Sequence, residues 1–321
     1  MKSLQGFSSG KDKVPMKAKN KGDSSGYAYT NTRVRAMKSK LLKDIDFHKM
    51  MKMSLDEIAR FLEETEYKKE IDSLALKYSG VNLIETGLNK NLENSFRRVF
   101  DFSIQASREQ IQLYLERFDL WCIKTVLRGK FANVSDEEIL NGLIAVGKFR
   151  RSFFENVIRN SKGLNPAVEM FKETEYYPIL KKFSGNLGKM EDELDKYYYE
   201  KVLSLSEKEL RDFSEFEIGT LNALSKFRSK HLAIKLELLP DGKNLDEIVS
   251  KSSNAIEAEK ILKKKLVEKG LKMLNKFQRS IGPVLAYFIA KQNEVDNIRI
   301  IARGKHSGLD DKIIEEQLVI A

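Results

Sequence analysis

NEVDNIRIIARGK, residues Asn293–Lys305, stands near the end of the chain, and FDLWCIKTVLRGK, residues Phe118–Lys130, repeats its pattern far earlier. Both stretches place apolar residues three and four positions apart, as one face of an amphipathic helix requires. Both also end in a basic residue followed by Gly-Lys. A short basic helix that occurs more than once predicts an internally repeated helical protein.

Two weaker copies complete a set of four equivalent helices, which we anchor at Arg35, Lys124, Asn222 and Arg299. An apolar residue stands one position before and two positions after every anchor. In the second and fourth copies, Arg128 and Arg303 follow the anchor by four residues, so two basic side chains share one helix face. Gly129 and Gly304 come next, where we predict a left-handed cap that ends the helix.

The segments that follow the basic helices recur as well. Helix starts of the capping-box type are predicted at Ser54, Ser135 and Asn244, and a related pattern without the glutamate begins at Leu309. The string Glu-Thr-Glu-Tyr occurs at 64–67 and again at 173–176. This many matching parts indicate a true repeat of one helical unit.

The order of these parts predicts that the two ends of the chain meet. A basic helix is left over at the N-terminal end and a capped helix at the C-terminal end, so each end carries a half-unit. We expect the N-terminal basic helix to pack against the unit that contains the C-terminus, which closes a three-part ring or funnel. The predicted organisation is a disordered basic tail (1–26), helical unit 1 (27–130), helical unit 2 (131–230) and helical unit 3 with a closing C-terminal helix (231–321).

Composition favours an all-α fold. Hydrophobic residues make up 41% of the 321 residues, charged residues make up 32%, and there are only five prolines. The net charge of +10 attracts nucleic acid, anionic lipid heads or an acidic protein, and does not by itself choose among them. A Lys/Glu-rich surface of a heat-adapted protein is a further explanation of the charge. The single cysteine, Cys122, excludes an intramolecular disulfide and is predicted to be a small core residue.

Motifs of enzyme chemistry are missing from the sequence. None of the Gly-Lys pairs is followed by Ser or Thr, so there is no phosphate-binding P-loop, and the three histidines show no metal-ligand spacing. We therefore predict a non-catalytic protein with no cofactor and no metal. The longest apolar run, Ile281–Ala290, is too short to span a membrane and predicts a buried helix with Pro283 in its first turn. No signal peptide is visible, so the chain is expected to be soluble or peripheral to a membrane.

The motifs YAYTNTRVRAMKSKLL (27–42), FLEETEY (61–67), RFDLWCIKTVLRGK (117–130) and NEVDNIRIIARGK (293–305) resemble the C subunit of archaeal-type (A/V-type) ATP synthases. The d subunit of eukaryotic vacuolar ATPases is similar. The resemblance covers the chain from Tyr27 onward, and the basic tail before Tyr27 departs from it.

The resemblance implies a funnel of three similar helical bundles with pseudo-threefold symmetry. It also implies a non-catalytic rotor subunit that caps the proteolipid ring, receives the central stalk and transmits rotation during proton- or sodium-driven ATP synthesis. Such a protein sits peripherally on the cytoplasmic side of the cell membrane and binds no nucleic acid. A runner-up hypothesis, based on charge alone, is a helical scaffold that binds RNA or another acidic polymer.

Six basic residues are the candidate partner contacts, because carboxylates and helix C-termini of partners are attracted to such helices. These residues are Arg35, Lys124, Arg128, Arg299, Arg303 and Lys305. The alternative is that these side chains pair within the repeat and hold the fold. Under that alternative the carboxylates at Asp119, Glu294 and Asp296 are available partners.

Overall fold

The computed structural model describes residues 25–182, 185–232, 238–239, 242–276 and 279–320. Within these residues every regular element is a helix, which confirms the predicted all-α class. The helices are α1 (Ser25–Lys38), α2 (Asp44–Met50), α3 (Leu55–Glu63), α4 (Lys68–Leu74), α5 (Gly80–Phe102), α6 (Gln105–Leu115), α7 (Arg117–Phe131), α8 (Asp136–Asn141), α9 (Arg151–Asn160), α10 (Leu164–Glu169), α11 (Tyr177–Leu180), α12 (Leu187–Leu205), α13 (Lys208–Leu232), α14 (Asp246–Val249), α15 (Ala255–Lys276), α16 (Gly282–His306) and α17 (Asp311–Gln317).

The four anchors fall on helices α1, α7, α13 and α16, as predicted. The predicted tail lies outside the described residues except for positions 25 and 26, which open α1 rather than end a disordered segment. The division of the chain into three units with the boundaries given above stays a prediction.

The predicted helix starts are confirmed at Ser54 and Ser135, and the other two helices start one residue later than predicted. Ser54 and Ser135 each accept a hydrogen bond from a backbone N–H in the first turn of α3 and α8, and Glu57 also reaches back to the amide of Ser54. Asp310 caps α17 in the same manner. The cap predicted at Asn244 falls one residue later, at Leu245, and α14 begins at Asp246. Local side-chain chemistry therefore sets most of these boundaries.

Gly129 and Gly304 do not end their helices, and the predicted left-handed caps at these positions are wrong. Both glycines lie inside α7 and α16. The left-handed residues come four positions later, at Asn133 (φ 53°) and Gly308 (φ 66°). Asparagine and glycine are the residues that adopt this conformation at least cost, so the end of each helix is correctly marked but misplaced by one turn.

The two helical glycines allow a short helix to pack closely on a long one. A Cβ atom on Gly129 would lie 2.6 Å from Cδ1 of Ile139, and one on Gly304 would lie 2.6 Å from Cγ1 of Ile314. These isoleucines are buried on α8 and α17, respectively. Helices α7–α8 and α16–α17 are thus two copies of one packing motif, shifted by 175 residues.

The two ends of the chain pack together. Helix α1 lies against α16, and it also reaches α15. The side-chain amide of Asn31 donates to the carbonyl of Ser280 (3.0 Å), and the guanidinium of Arg35 donates to the carbonyl of Leu274 (2.8 Å). The prediction that the N-terminal basic helix packs against the unit containing the C-terminus is therefore confirmed.

Helix α16 lies in the middle of the hydrophobic core. It is buried along most of its length, from the first-turn Pro283 to Gly304, and it contacts α1, α2, α3, α5, α13, α15 and α17. The core around it runs from Tyr27 to Val319 and includes the buried Cys122. A second, small apolar cluster joins α13, α14 and α15 through Ala223, Phe227, Val249, Ala258 and Leu262.

Candidate partner-binding surface

The two strong basic helices each hold a neighbouring long helix through a pair of cations. On α7, the ammonium of Lys124 lies 2.6 Å from a carboxylate oxygen of Asp195, and Arg128 forms a two-pronged ion pair with Glu191. Both acceptors are on α12, four residues apart. The hydrogen bond to Glu191 raises the pKa of Arg128 above its ordinary value. Two cations spaced by one turn thus meet two carboxylates spaced by one turn, an arrangement that we call a clasp.

Helix α16 forms the corresponding clasp on α5. The guanidinium of Arg299 donates to the side-chain oxygen of Asn89 (2.8 Å), and Arg303 forms a two-pronged ion pair with Glu85. Arg299 also lies 3.3 Å from the carboxylate of Asp296, one turn earlier on the same helix. The neutral Asn89 stands where the first clasp has a carboxylate, so this clasp has one acceptor charge fewer.

The other two copies of the basic helix do not form clasps. Arg35 on α1 binds a backbone carbonyl of α15. Asn222 on α13 exchanges two hydrogen bonds of 2.8 Å with the backbone of Leu239. Lys226, one turn after Asn222, pairs with Asp246 of α14 (2.8 Å). These contacts explain why the two copies match the repeat pattern less closely in sequence.

Lys305 binds within its own copy of the repeat. Its ammonium lies 3.3 Å from Asp311, as the ammonium of Lys130 lies 2.8 Å from Asp136. Each of these lysines joins the end of its long helix to the first residue of the next short helix.

All six predicted contact residues therefore have partners within the chain. The internal pair of Arg299 with Asp296 was predicted, but the predicted pairing with Asp119 or Glu294 is wrong for Lys124 and Arg299. The role of the six residues as contacts with other proteins stays a prediction. Arg128 and Arg303 keep the most free surface, with side chains 64% and 62% exposed.

A set of buried carboxylates on the inner faces of these helices was not predicted. Asp119, Glu217 and Glu294 each stand five residues before an anchor, and all three are buried. The guanidinium of Arg117 donates two hydrogen bonds to the carboxylate of Glu217 (2.8 and 2.5 Å). The sequence did contain a signal for them, because three of the four repeated helices carry a carboxylate at the same position of an otherwise apolar face. A charge in that place needs a dedicated partner, because an unpaired buried charge is very costly.

Glu294 binds three groups from two ends of the chain. One carboxylate oxygen accepts from the hydroxyl of Tyr67 (2.6 Å) and from the ammonium of Lys291 (2.7 Å), and the other accepts from the backbone N–H of Leu42 (2.5 Å). The ammonium of Lys291 also lies 3.8 Å from the ring centre of Tyr67. Burial lowers the pKa of Lys291 below its ordinary value even beside Glu294, and burial raises the pKa of Tyr67.

Asp119 has the same role on α7. Its two carboxylate oxygens accept from the backbone N–H groups of Lys148 (2.7 Å) and Phe149 (3.1 Å). A Cβ atom on Gly147 would lie 2.5 Å from one of these oxygens, so only glycine lets the loop come this close. Burial raises the pKa of Asp119 to about 7, against the opposing effect of the two backbone donors.

The tyrosines of the repeated Glu-Thr-Glu-Tyr string face these carboxylates. Tyr67 donates to Glu294, and the pKa of the buried Tyr176 is raised by burial first and then by the charge of Asp119. The residues around α7 therefore correspond, in the same order, to the residues around α16. Around α7 they are Lys148, Tyr176, Glu191 and Asp195. Around α16 they are Leu42, Tyr67, Glu85 and Asn89. Helix α7 makes these contacts to the chain that follows it, whereas α16 makes them to the N-terminal part of the chain.

A polar cleft of about 540 Å³ lies between α5, α7, α8 and the clasp of α16. We call it the clasped cleft, because Arg299 and Arg303 form one of its walls. Trp121 is half exposed at its rim, and the indole N–H donates to the carbonyl of Gly142 (3.0 Å). Glu137 and Glu138 of α8 also line it, so the cleft carries charges of both signs.

Metal-binding and membrane-spanning features are absent from the part of the chain that the structure describes. Its residues contain no cluster of three or more His, Cys, Asp or Glu side chains that could hold a metal ion. Within the same ranges, no helix is both long enough and apolar enough to cross a membrane.

Comparison with known proteins gives one consistent family. The family described as ATP synthase (C/AC39) subunit matches residues 30–252 and 240–317. The chain is 35% identical to the C subunit of the A-type ATP synthase of Methanosarcina acetivorans, over 94% of this chain and 95% of that protein. It is 36% identical to the corresponding protein of Methanosarcina mazei (94% and 95%) and 33% identical to that of Archaeoglobus fulgidus (94% and 98%). The chain therefore belongs to the ATP synthase (C/AC39) subunit family.

Proposed function

We propose that the chain is a non-catalytic central-rotor subunit of an archaeal-type ATP synthase. It joins the membrane proteolipid ring to the central stalk and transmits rotation during proton- or sodium-driven ATP synthesis. In this proposal the three helical units, 27–130, 131–230 and 231–321, surround a pseudo-threefold axis as a funnel that centres the stalk. The protein sits peripherally on the cytoplasmic side of the cell membrane.

The joining of the two chain ends is the observation that carries this proposal. Glu294 near the C-terminus accepts from Leu42 and Tyr67 near the N-terminus, and Asp119 on α7 accepts in the corresponding way from the backbone of Lys148. A closed set of packed helices resists deformation, because protein interiors are close-packed and transmit strain. A part that transmits torque needs this stiffness, whereas a flexible linker between domains would absorb the rotation.

The reactive groups of the described residues support a structural role. Cys122 is fully buried, and burial raises the pKa of its thiol, so the thiolate form needed for nucleophilic chemistry is disfavoured. Asp119, Glu217 and Glu294 are held by donors from the chain itself. These carboxylates join separate segments of the chain together.

The net charge of +10 supports contact with carboxylates of other subunits and with anionic lipid heads. Of the six predicted contact residues, Arg128 and Arg303 are the best placed, because their outer surfaces stay exposed beside the clasps. We propose these two as the first sites to test.

The test is affinity purification of the tagged full-length chain from membranes of its own organism at two salt concentrations. Recovery of proteolipid and central-stalk subunits that persists at high salt supports the proposal, because buried apolar contacts are only weakly screened. Recovery of RNA that is lost steeply as salt rises would instead support a phosphate-binding scaffold. Recovery of neither group of molecules would refute the proposed role.

A further inference from the structure

A second cleft, of about 850 Å³, lies between the beginning of α15, α16 and α17. We call it the open cleft. Its walls carry Ser253, Asn254, Ile256, Glu257, Glu259, Lys260, Lys263, Ile300, Ile313, Glu316, Gln317 and Val319. It is larger than the clasped cleft and more apolar.

The open cleft is the repeat counterpart of the clasped cleft. The 175-residue shift that relates Gly129 to Gly304 also relates six wall positions of the clasped cleft to six of the open cleft. Under this shift Asn82 becomes Glu257, Glu85 becomes Lys260, Glu138 becomes Ile313 and Asn141 becomes Glu316. These shared positions place the two cavities at the same point in two copies of the repeated unit.

The two clefts differ in what closes them. In the clasped cleft, a helix from the next copy crosses in front, and its Arg303 binds Glu85. The described wall of the open cleft includes no residue of α13, the basic helix that neighbours α15. Helix α13 instead meets α15 through the small apolar cluster described above, in which Phe227 packs with Leu262, and through the ion pair of Arg228 with Glu259 (2.8 Å).

The two clefts carry opposite charge at the positions that bind the arginines of the clasp. Where α5 carries Glu85 and Asn89, α15 carries Lys260 and Lys264. The ammonium of Lys260 donates to the backbone carbonyl of Glu316, and the described residues place no carboxylate within ion-pair distance of it. Lys264 is exposed, and among the described residues no carboxylate lies within 4.0 Å of it. Two cations one turn apart at this position favour a partner that carries carboxylates.

The walls also leave large apolar side chains in contact with water. Ile256 is 70% exposed and Ile313 is 46% exposed, on opposite sides of the cleft, and Ile300 and Val319 line the space between them. Exposed apolar surface around a concave site marks an interaction surface. The residue of the clasped cleft that corresponds to Ile313 is the carboxylate Glu138, which faces water.

We propose that the open cleft binds an amphipathic helix of another subunit of the complex. The apolar side of that helix enters between Ile256 and Ile313, and two of its carboxylates, one turn apart, meet Lys260 and Lys264. A helix is the occupant because the chain itself places a helix in front of the equivalent cleft, with cations one turn apart. Lys260 and Lys264 stand where α5 has Glu85 and Asn89, so the helix that binds here is expected to carry carboxylates instead of cations.

This inference rests on the proposed function, since it takes the occupant from the same complex. Two of the three acids in the cleft wall are already bound. Glu257 accepts hydrogen bonds from the amide and hydroxyl of Ser253, and Glu259 is paired with Arg228. The third, Glu316, is exposed on α17.

The apolar contact is tested with the double variant Ile256→Arg/Ile313→Arg in the full-length chain, expressed in place of the wild type. Both side chains are exposed, so folding measured by circular dichroism and thermal melting is expected to stay unchanged. We expect recovery of the other ATP synthase subunits in affinity purification to fall by about tenfold or more, as for the loss of an interface hot spot. The matched control is Leu205→Arg, which alters a leucine that is also exposed but lies outside the cleft.

The charge contact is tested with Lys260→Glu/Lys264→Glu, compared with Lys162→Glu/Lys172→Glu at exposed positions elsewhere. Only the first variant should lose the complex. A photo-cross-linker at position 256 in the otherwise wild-type chain should capture a helical peptide with carboxylates one turn apart.

Wild-type recovery of the complex by both cleft variants would overturn the inference and leave the proposed function intact. A cross-link to a basic segment, to lipid or to a second copy of this chain would also overturn it. Failure of the wild-type chain to recover any ATP synthase subunit would instead count against the proposed function.

Discussion

Replacing Glu294 by glutamine should be among the most damaging single changes in the chain. The side chains of Lys291 and Glu294 are only 2% and 4% exposed, so glutamine leaves the Lys291 ammonium buried without its counter-charge. Breaking a buried ion pair from one side costs about 3–5 kcal/mol. Glutamine must also receive the hydroxyl of Tyr67 and the amide of Leu42, and it has only one acceptor oxygen for them.

Chemical denaturation followed by circular dichroism measures this loss. The double variant Glu294→Gln/Lys291→Met should regain most of the lost stability, because it removes the uncompensated charge as well. The pH dependence has a definite sign. Without Glu294 the already lowered pKa of Lys291 falls further. The difference in the free energy of unfolding between the wild type and Glu294→Gln should therefore shrink at alkaline pH, where Lys291 is neutral in the folded variant. An unchanged midpoint for Glu294→Gln, or a double variant weaker than the single one, would refute the reasoning.

Three further predictions concern the same framework. Gly304→Ala should destabilise by about 1–3 kcal/mol through collision with Ile314, and clearly less in an Ile314→Ala background, as a double-mutant denaturation cycle would show. Arg117→Met should cost about 3–5 kcal/mol by stranding the buried Glu217 carboxylate, whereas changing both residues should cost less in the same denaturation assay. The raised pKa of Asp119 means that the folded state holds its proton more tightly than the unfolded state. Urea titrations should therefore show the stability of the wild type relative to Asp119→Asn falling as pH rises from about 4 to about 7; a pH-independent difference would contradict this.

The parts of the fold that local chemistry decides could be predicted from the sequence. Apolar spacing located the helices that carry the four anchors, and Ser54 and Ser135 marked helix starts because a capping side chain acts within one turn. The repeat also predicted that α1 would pack near the C-terminus. These inferences needed only neighbours in sequence or the count of repeated parts.

The ion-pair partners could not be predicted in this way. Lys124 has an acidic residue five positions away on its own helix, yet it pairs with Asp195, which is 71 residues distant. Which face of α7 meets α12 depends on how two helices are rotated against each other, and sequence spacing does not contain that rotation. The misplaced caps have a similar cause, because Gly129 was needed for close contact with Ile139 rather than for the turn.

The internal repeat is broken at the open cleft, as the proposed role in transmitting rotation requires. A ring of three equal clefts would present three equal sites to a single stalk, and the stalk could bind in three orientations. In the chain, α5 and α12 are each closed by a clasp, whereas the cleft beside α15 has reversed charge and exposed isoleucines. One distinct cleft among similar units would fix one orientation of the partner. A rotor that passes torque without slipping needs such an orientation, and the Lys260→Glu/Lys264→Glu variant tests whether the open cleft supplies it.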